Sequence, residues 1–223
     1  MTPLYHGGNR HDKRLVIKYN LKLAKAVARF LKFHSEVKQE LEKFQHTHVS
    51  YCSIHSKCPA GYSTGTNLAH CHPPWTEHDP NANNRSPVSR ICIQQKFLAA
   101  PFQMSTLGQS RFGAGEPLKV VDRVLGKRIP IILQNPLLKK LQRYYWKEGI
   151  PYSGVWAIID LMCHEVAHTM ESSYDYSTKK IDSHGSKFYK NYLKLQKIMV
   201  TAVKTRDSSL PLELCTALWG HHD

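Results

Sequence analysis

"DLMCHEVAHTMESSYDYSTKKIDSHGSKF", residues 160–188, holds His164, Glu165 and His168 in an H-E-x-x-H run, with His184 sixteen residues after His168. Val155, Ile158, Ile159, Met162, Val166 and Met170 recur at helical spacing around the run. A helix with a buried side is therefore expected, with Ser153 as its N-cap. Positions four apart share one helix face, so both imidazoles can reach a single cation. Glu165 is offset by about 100° from its neighbour and can lean over the cation's open side instead of binding it. Zinc held this way acidifies water, and the carboxylate can accept its proton during attack on a carbonyl. The glutamic acid then protonates the departing amine. With 14 histidines in the chain, random placement gives roughly 0.03 matches to this pattern; a lone match still leaves room for coincidence, and the third ligand decides more.

A helix supplies two ligands, and a catalytic zinc takes a third from elsewhere in the protein. The metzincin continuation fails, because Glu171 and Tyr174 stand where its glycine and histidine belong. A later glutamate ligand is poorly served, since Glu213 follows Glu171 with no helix signature around it. His184 fits better, at the start of a last helix expected from near Ser183. That helix has an apolar stripe of Phe188, Tyr192, Leu195, Met199 and Val203. Cys163 reads as a packed core thiol. Asp160, one turn before His164, and Asp182, beside His184, read either as partners that orient an imidazole or as cap and surface residues. Tyr174, Tyr176 and Tyr189 are candidates for stabilising an oxyanion, against ordinary packing for each.

Upstream, "KVVDRVLGKRIPIILQNPLLKKLQRYYWKEG" gives two short strands, Lys119–Val124 and Arg128–Leu133, around Gly126. Pro130 suits an edge or a strand start. A helix follows from Asn135–Pro136, ended by Gly149 and Pro151. Residues 14–46 read as an amphipathic helix, with Val16, Leu23, Val27, Phe30, Val37, Leu41 and Phe44 on its apolar side. Lys18, Lys22, Lys25, Arg29 and Lys32 form a second stripe, read either as a solvated face or as a nucleic-acid-binding surface that tracks phosphates.

Here the chain resembles the SprT-like zinc metalloproteases, which include the Spartan-type proteases. The likeness rests on H-E-x-x-H, a variable loop and "HGSKF" (H-G-x-x-F), and extends to "RIPIILQNPLLKK" and the N-terminal helix. It covers that helix and about 119–200. It implies a small zincin-like α+β domain with a three- to four-stranded sheet. It also implies His164, His168 and His184 as zinc ligands, Glu165 as general base, and structural roles for Gly185 and Phe188. In the eukaryotic members it implies a DNA-dependent protease that acts on DNA-crosslinked proteins.

Residues 47–118 read as a Cys/His-rich insertion with short strands near "SRICIQQKF" and "APFQMSTL". Cys52, His55, Cys58, His70, Cys71 and His72 are candidates for a second, structural zinc, against a polar loop whose thiols and imidazoles are neighbours only in sequence. The expected organisation is one domain. It has a zinc-site core at 119–206 and an extension at 207–223 that packs back through Leu214, Leu218 and Trp219.

The 31 Lys and Arg outnumber 17 Asp and Glu, for a net charge of +14. The excess is spread along the chain, so it attracts polyanions to the folded body, nucleic acid first and anionic membrane next. No apolar run reaches the roughly 20 residues of a membrane span. The polar opening "MTPLYHGGNRHDKR" leads us to expect an intracellular protein, nuclear or cytoplasmic, or a virion component. The expected function is a zinc endopeptidase with a protein substrate, working on or near nucleic acid, DNA above all. The rival is a basic nucleic-acid-binding or virion assembly protein that uses zinc only for stability.

Overall fold

The structure, a computed structural model, describes residues 10–41, 48–52, 69–72, 90–99, 101, 119–121, 128–130, 154–170 and 186–220. Within them the fold mixes helices with short strands, a helix-rich α+β arrangement. The first helix, α1 (Arg10–Phe33), buries Ile17, Leu23, Ala24, Val27, Phe30 and Leu31, with Val16 only half-buried. It ends earlier than its periodicity implies. Hydrogen-bonded turns replace it, with His34 N donating to Leu31 O and Leu41 N to Val37 O. Phe30, Val37 and Leu41 stay in phase across the break and all are buried, so the apolar pattern conceals the helix end.

Three strands follow: β1 (His48–Cys52), β2 (Ala69–His72) and β3 (Arg90–Gln94). Their order is β1-β3-β2, with β1 parallel and β2 antiparallel to β3. Ile91, Cys92, Ile93 and Gln94 are all buried, so β3 is covered on both faces and takes the middle. The short helix α2 (Gln95–Ala99) continues from β3, and Asn20 Nδ2 on α1 donates to Leu98 O at 2.7 Å. A separate antiparallel pair joins β4 (Lys119–Val121) to β5 (Arg128–Pro130), in the register Val120↔Ile129. Among the described residues the strands form a three-stranded sheet and a separate pair, where a sheet of three to four strands was expected. Pro130 stands opposite Lys119 at the end of β5. The strand expected at "APFQMSTL" lies outside the described residues beyond Pro101, and the helix expected from Asn135 lies wholly outside them.

Helix α3 (Val155–Thr169) carries the H-E-x-x-H run and packs against α1, β2 and α4 (Ser186–Thr205). Its central position buries every residue from Ala157 to Ala167, not the single side expected from the sequence. The α4 stripe of Phe188, Tyr192, Leu195, Met199 and Val203 is buried as a set. Helix α4 ends in a left-handed Arg206 (φ 51°). Asp207 N donates to Ala202 O at 2.9 Å and Arg206 N to Val203 O at 3.3 Å, the Schellman pattern that satisfies the last carbonyls. Asp207 then accepts from Ser209 N and Oγ, at 2.8 and 2.7 Å. These bonds hold its carboxyl below the usual range. The last helix, α5 (Leu212–Trp219), sets Leu214 into the core and packs on α1. No helix among the described residues is long and apolar enough to cross a membrane.

Candidate metal centre

Helix α3 starts from Gly154, whose φ of 63° a side chain would strain; it makes no side-chain cap bond. The expected cap, Ser153, lies outside the described residues. Two turns in, His164 and His168 project from one face, with ring centroids 5.0 Å apart and planes at 76°. A metal bound at about 2.0–2.1 Å from a ring nitrogen sits about 3.2 Å from the ring centroid, so imidazoles sharing a tetrahedral ion have centroids roughly 5 Å apart. The observed separation matches that geometry.

Helix α4 brings aromatic groups onto both rings. Phe188 stacks on His168, with centroids 4.4 Å apart and planes at 29°, and meets His164 edge-on at 4.8 Å. Tyr192 meets His164 edge-on at 5.4 Å. Its hydroxyl donates to Asp160 Oδ1, and Gln196 Nε2 donates to the same oxygen at 2.7 Å. Asp160, Tyr192 and Gln196 are all buried. Asp160 is therefore neither a cap nor a surface residue; it is the acceptor that ties α4 to α3 one turn before His164. Sequence reasoning missed this network, although an acid in an otherwise apolar helix signals that a buried donor must meet it. Burial, with the Asp160 charge adding to it, pushes the Cys163 thiol well up, which suits an inert core thiol.

Glu165 is 3% exposed. Burial, followed by the influence of Cys92 on β3, raises its carboxyl to about 8. Its Oε2 is buried and has no hydrogen-bond partner among the described residues. The neighbour that shifts it is Cys92 of β3, whereas the His164 and His168 rings meet Phe188 and Tyr192 of α4. A buried carboxyl in this state stays neutral unless a positive charge or a proton donor reaches it.

The third expected ligand, His184, lies outside the described residues, as do Gly185, Asp182, Tyr174 and Tyr176. Among the described residues, no group of three His, Cys, Asp or Glu side chains is arranged to hold a metal. Tyr189 is buried, with its ring edge-on to Phe188 at 5.1 Å. Among the described candidates for the second zinc, Cys52 lies on a different strand from His70, Cys71 and His72. Cys52 ends β1, opposite Gln94. His70, Cys71 and His72 lie on β2, on the other side of β3, with Cys71 opposite Ile91. Two strand spacings, about 10 Å, divide the two groups. His55 and Cys58 lie outside the described residues. Neither β1 nor β2 was anticipated as a strand.

Of the α1 cations, Lys18, Lys22, Lys25 and Arg29 are exposed and Lys32 is half-buried. Arg29 pairs with Glu213 of α5 at 3.1 Å, and Lys32 Nζ stands 5.1 Å from the Phe33 ring centroid. Hydrogen bonding and the charges of Arg29 and Lys22 hold the Glu213 carboxyl low. Part of the stripe therefore serves to dock α5.

No protein-family model, curated protein or solved structure matches this chain.

Proposed function

We propose that the chain is a zinc endopeptidase of SprT-like type, a zincin-like domain that cleaves proteins bound or crosslinked to nucleic acid. The observation that carries the reading is the 5.0 Å spacing of the His164 and His168 rings on one face of α3. His184 is the proposed third ligand. It precedes the first residue of α4 by two positions, and two peptide units span at most about 7 Å. The first turn of that helix carries Phe188 against both imidazoles.

His164, His168 and His184 would hold the zinc, which would supply a Lewis acid for a peptide carbonyl and lower the pKa of water. Phe188 and Tyr192 restrict how the imidazole rings turn. Burial raises the Glu165 carboxyl to about 8, so a neighbouring positive charge would be needed to restore the carboxylate that acts as a base. Its Oε2 is the atom that would take a proton from the attacking water and return it to the leaving amine. The net charge of +14 supports a working place at a nucleic acid.

The burial of Glu165 favours a second reading, in which zinc only holds together a basic nucleic-acid-binding or virion assembly protein. One experiment separates the two. Casein or histone cleavage is followed with and without duplex DNA and a chelator, for the wild type and for Glu165→Gln. The protease reading expects cleavage that the chelator stops, and a Glu165→Gln protein that keeps zinc but is inactive. A chain that unfolds on chelation and cleaves nothing under any condition supports the second reading.

A further inference from the structure

The buried stripe of α4 has an opposite face. Lys187, Lys190, Lys197 and Lys204 are exposed and Lys194 is half-buried, at spacings of three, four, three and seven. Helix α4 contains no Asp or Glu. With eight Lys and Arg against one Asp in α1, these two helices hold +12 of the net +14. The two faces are not equivalent. On α1, Arg29 is paired with Glu213, Lys22 lies within that carboxylate's field, and Leu15, Tyr19 and Phe33 are exposed apolar residues. On α4, Lys194 likewise bonds Glu40 at 2.6 Å, and Lys187, Lys190 and Lys197, like Lys18, Lys22 and Lys25 of α1, form no ion pair among the described residues; the α4 face differs in carrying no exposed large apolar side chain and no acid. Lys187 to Lys197 spans about 15 Å of helix. Each gap between neighbouring cations is within roughly a Debye length at 0.1 M salt, so their potentials add.

We infer that the lysine face of α4 binds the phosphate backbone of duplex nucleic acid, without reading sequence. A lysine ammonium is a point charge suited to single phosphates, whereas reading base edges favours forked donors such as Arg. No large apolar side chain is exposed on this helix. A membrane surface would find nothing to insert, and single-stranded bases would find no ring to stack on. The inference rests on the proposed function only for its nucleic-acid part. It adds a spatial relation, because the same helix presses Phe188 and Tyr192 onto His164 from its other side. A helix with its side chains is about 10–12 Å across, so a duplex on the lysine face lies about one helix diameter from the imidazole pair. A protein attached to that duplex is then within reach of the site.

The test is fluorescence anisotropy of the full chain with a labelled 20-base-pair duplex across a salt titration. Lys187→Gln/Lys190→Gln/Lys197→Gln is expected to lose at least tenfold in affinity at 0.1 M salt. Its log–log salt slope should shrink by as much as about 2.7, the share of three phosphate contacts. Lys18→Gln/Lys22→Gln/Lys25→Gln should lose less than threefold. Replacing the three α4 lysines with Arg should keep the affinity, which shows that the loss is one of charge and not of folding. The inference is overturned if the α4 triple Gln variant binds as the wild type does, or if the α1 variant carries the loss. It is also overturned if a single strand of equal length, or phosphatidylserine vesicles, bind as tightly as the duplex. A wild type that binds no duplex even at 50 mM salt overturns it together with the nucleic-acid part of the proposed function. A wild type that binds, beside an unaffected α4 variant, overturns this inference alone.

Discussion

Glu165, the proposed base, is buried where a carboxyl prefers to be neutral. If it shuttles the proton, Glu165→Gln keeps the shape and the metal but lowers peptide cleavage by at least about 10³-fold, an effect typical of lost general acid–base chemistry. Zinc content measured beside activity checks this, and full-rate cleavage by the variant would falsify the role. The same burial predicts a pH effect in the metal-free chain. The folded carboxyl sits at about 8 against 4.5 when free, so the native state holds the proton more tightly. Its contribution to stability is complete below about pH 4.5 and is lost as pH rises through about 8, at a slope of up to about 1.4 kcal/mol per pH unit. Denaturant titrations from pH 5 to 9 should show this slope in the wild type and lack it in Glu165→Gln. Glu165 and its flanking histidines were legible in the sequence because residue types four apart define a helix face. Its burial was not, because it comes from the packing of α1, β2 and α4 around α3, which excludes the water.

At the scale of elements, α3 and α4 are held together by a buried acid and two donors. Tyr192→Phe keeps the ring against His164 and deletes only the hydroxyl that Asp160 accepts. It should cost about 1–3 kcal/mol, read as a lower urea midpoint at unchanged m-value. Leu214 makes a parallel case for α5. It is fully buried, so Leu214→Ala should cost about 2–5 kcal/mol. Leu212→Ala, two positions away and 77% exposed, should change stability by less than about 0.5 kcal/mol. The same denaturation series measures both. The α4 stripe could be read in advance because Phe188 to Val203 keep one phase along an uninterrupted helix. The end of α1 could not, because Val37 and Leu41 continue the phase of Phe30 through turns that are not helix. Strands β1 and β2 were hidden by their own chemistry, since "HVSYC" and "AHCH" are short and rich in His and Cys, residue types that fit metal ligation as readily as a strand.

For the whole molecule, α3 lies between α1, β2 and α4, so the candidate centre sits where these elements meet. A ligand that binds only this assembled form must stabilise all of it. At zinc a hundredfold above its Kd the gain is about 2.7 kcal/mol, and for a chain of this size each kcal/mol raises Tm by about 2–4 °C. The expected rise on adding zinc to the chelated protein is therefore about 5–11 °C, with one ion per chain by mass spectrometry under native conditions. His168→Ala removes one of the paired imidazoles and should abolish both the rise and the bound ion. Lowering the pH to 6 should shrink the rise, because protons compete for the imidazoles. An ion that stays bound in His168→Ala would be evidence for a second site in the Cys/His-rich segment. The arrangement of Cys52 and Cys71 on opposite sides of β3 argues against that outcome for ligands drawn from both strands.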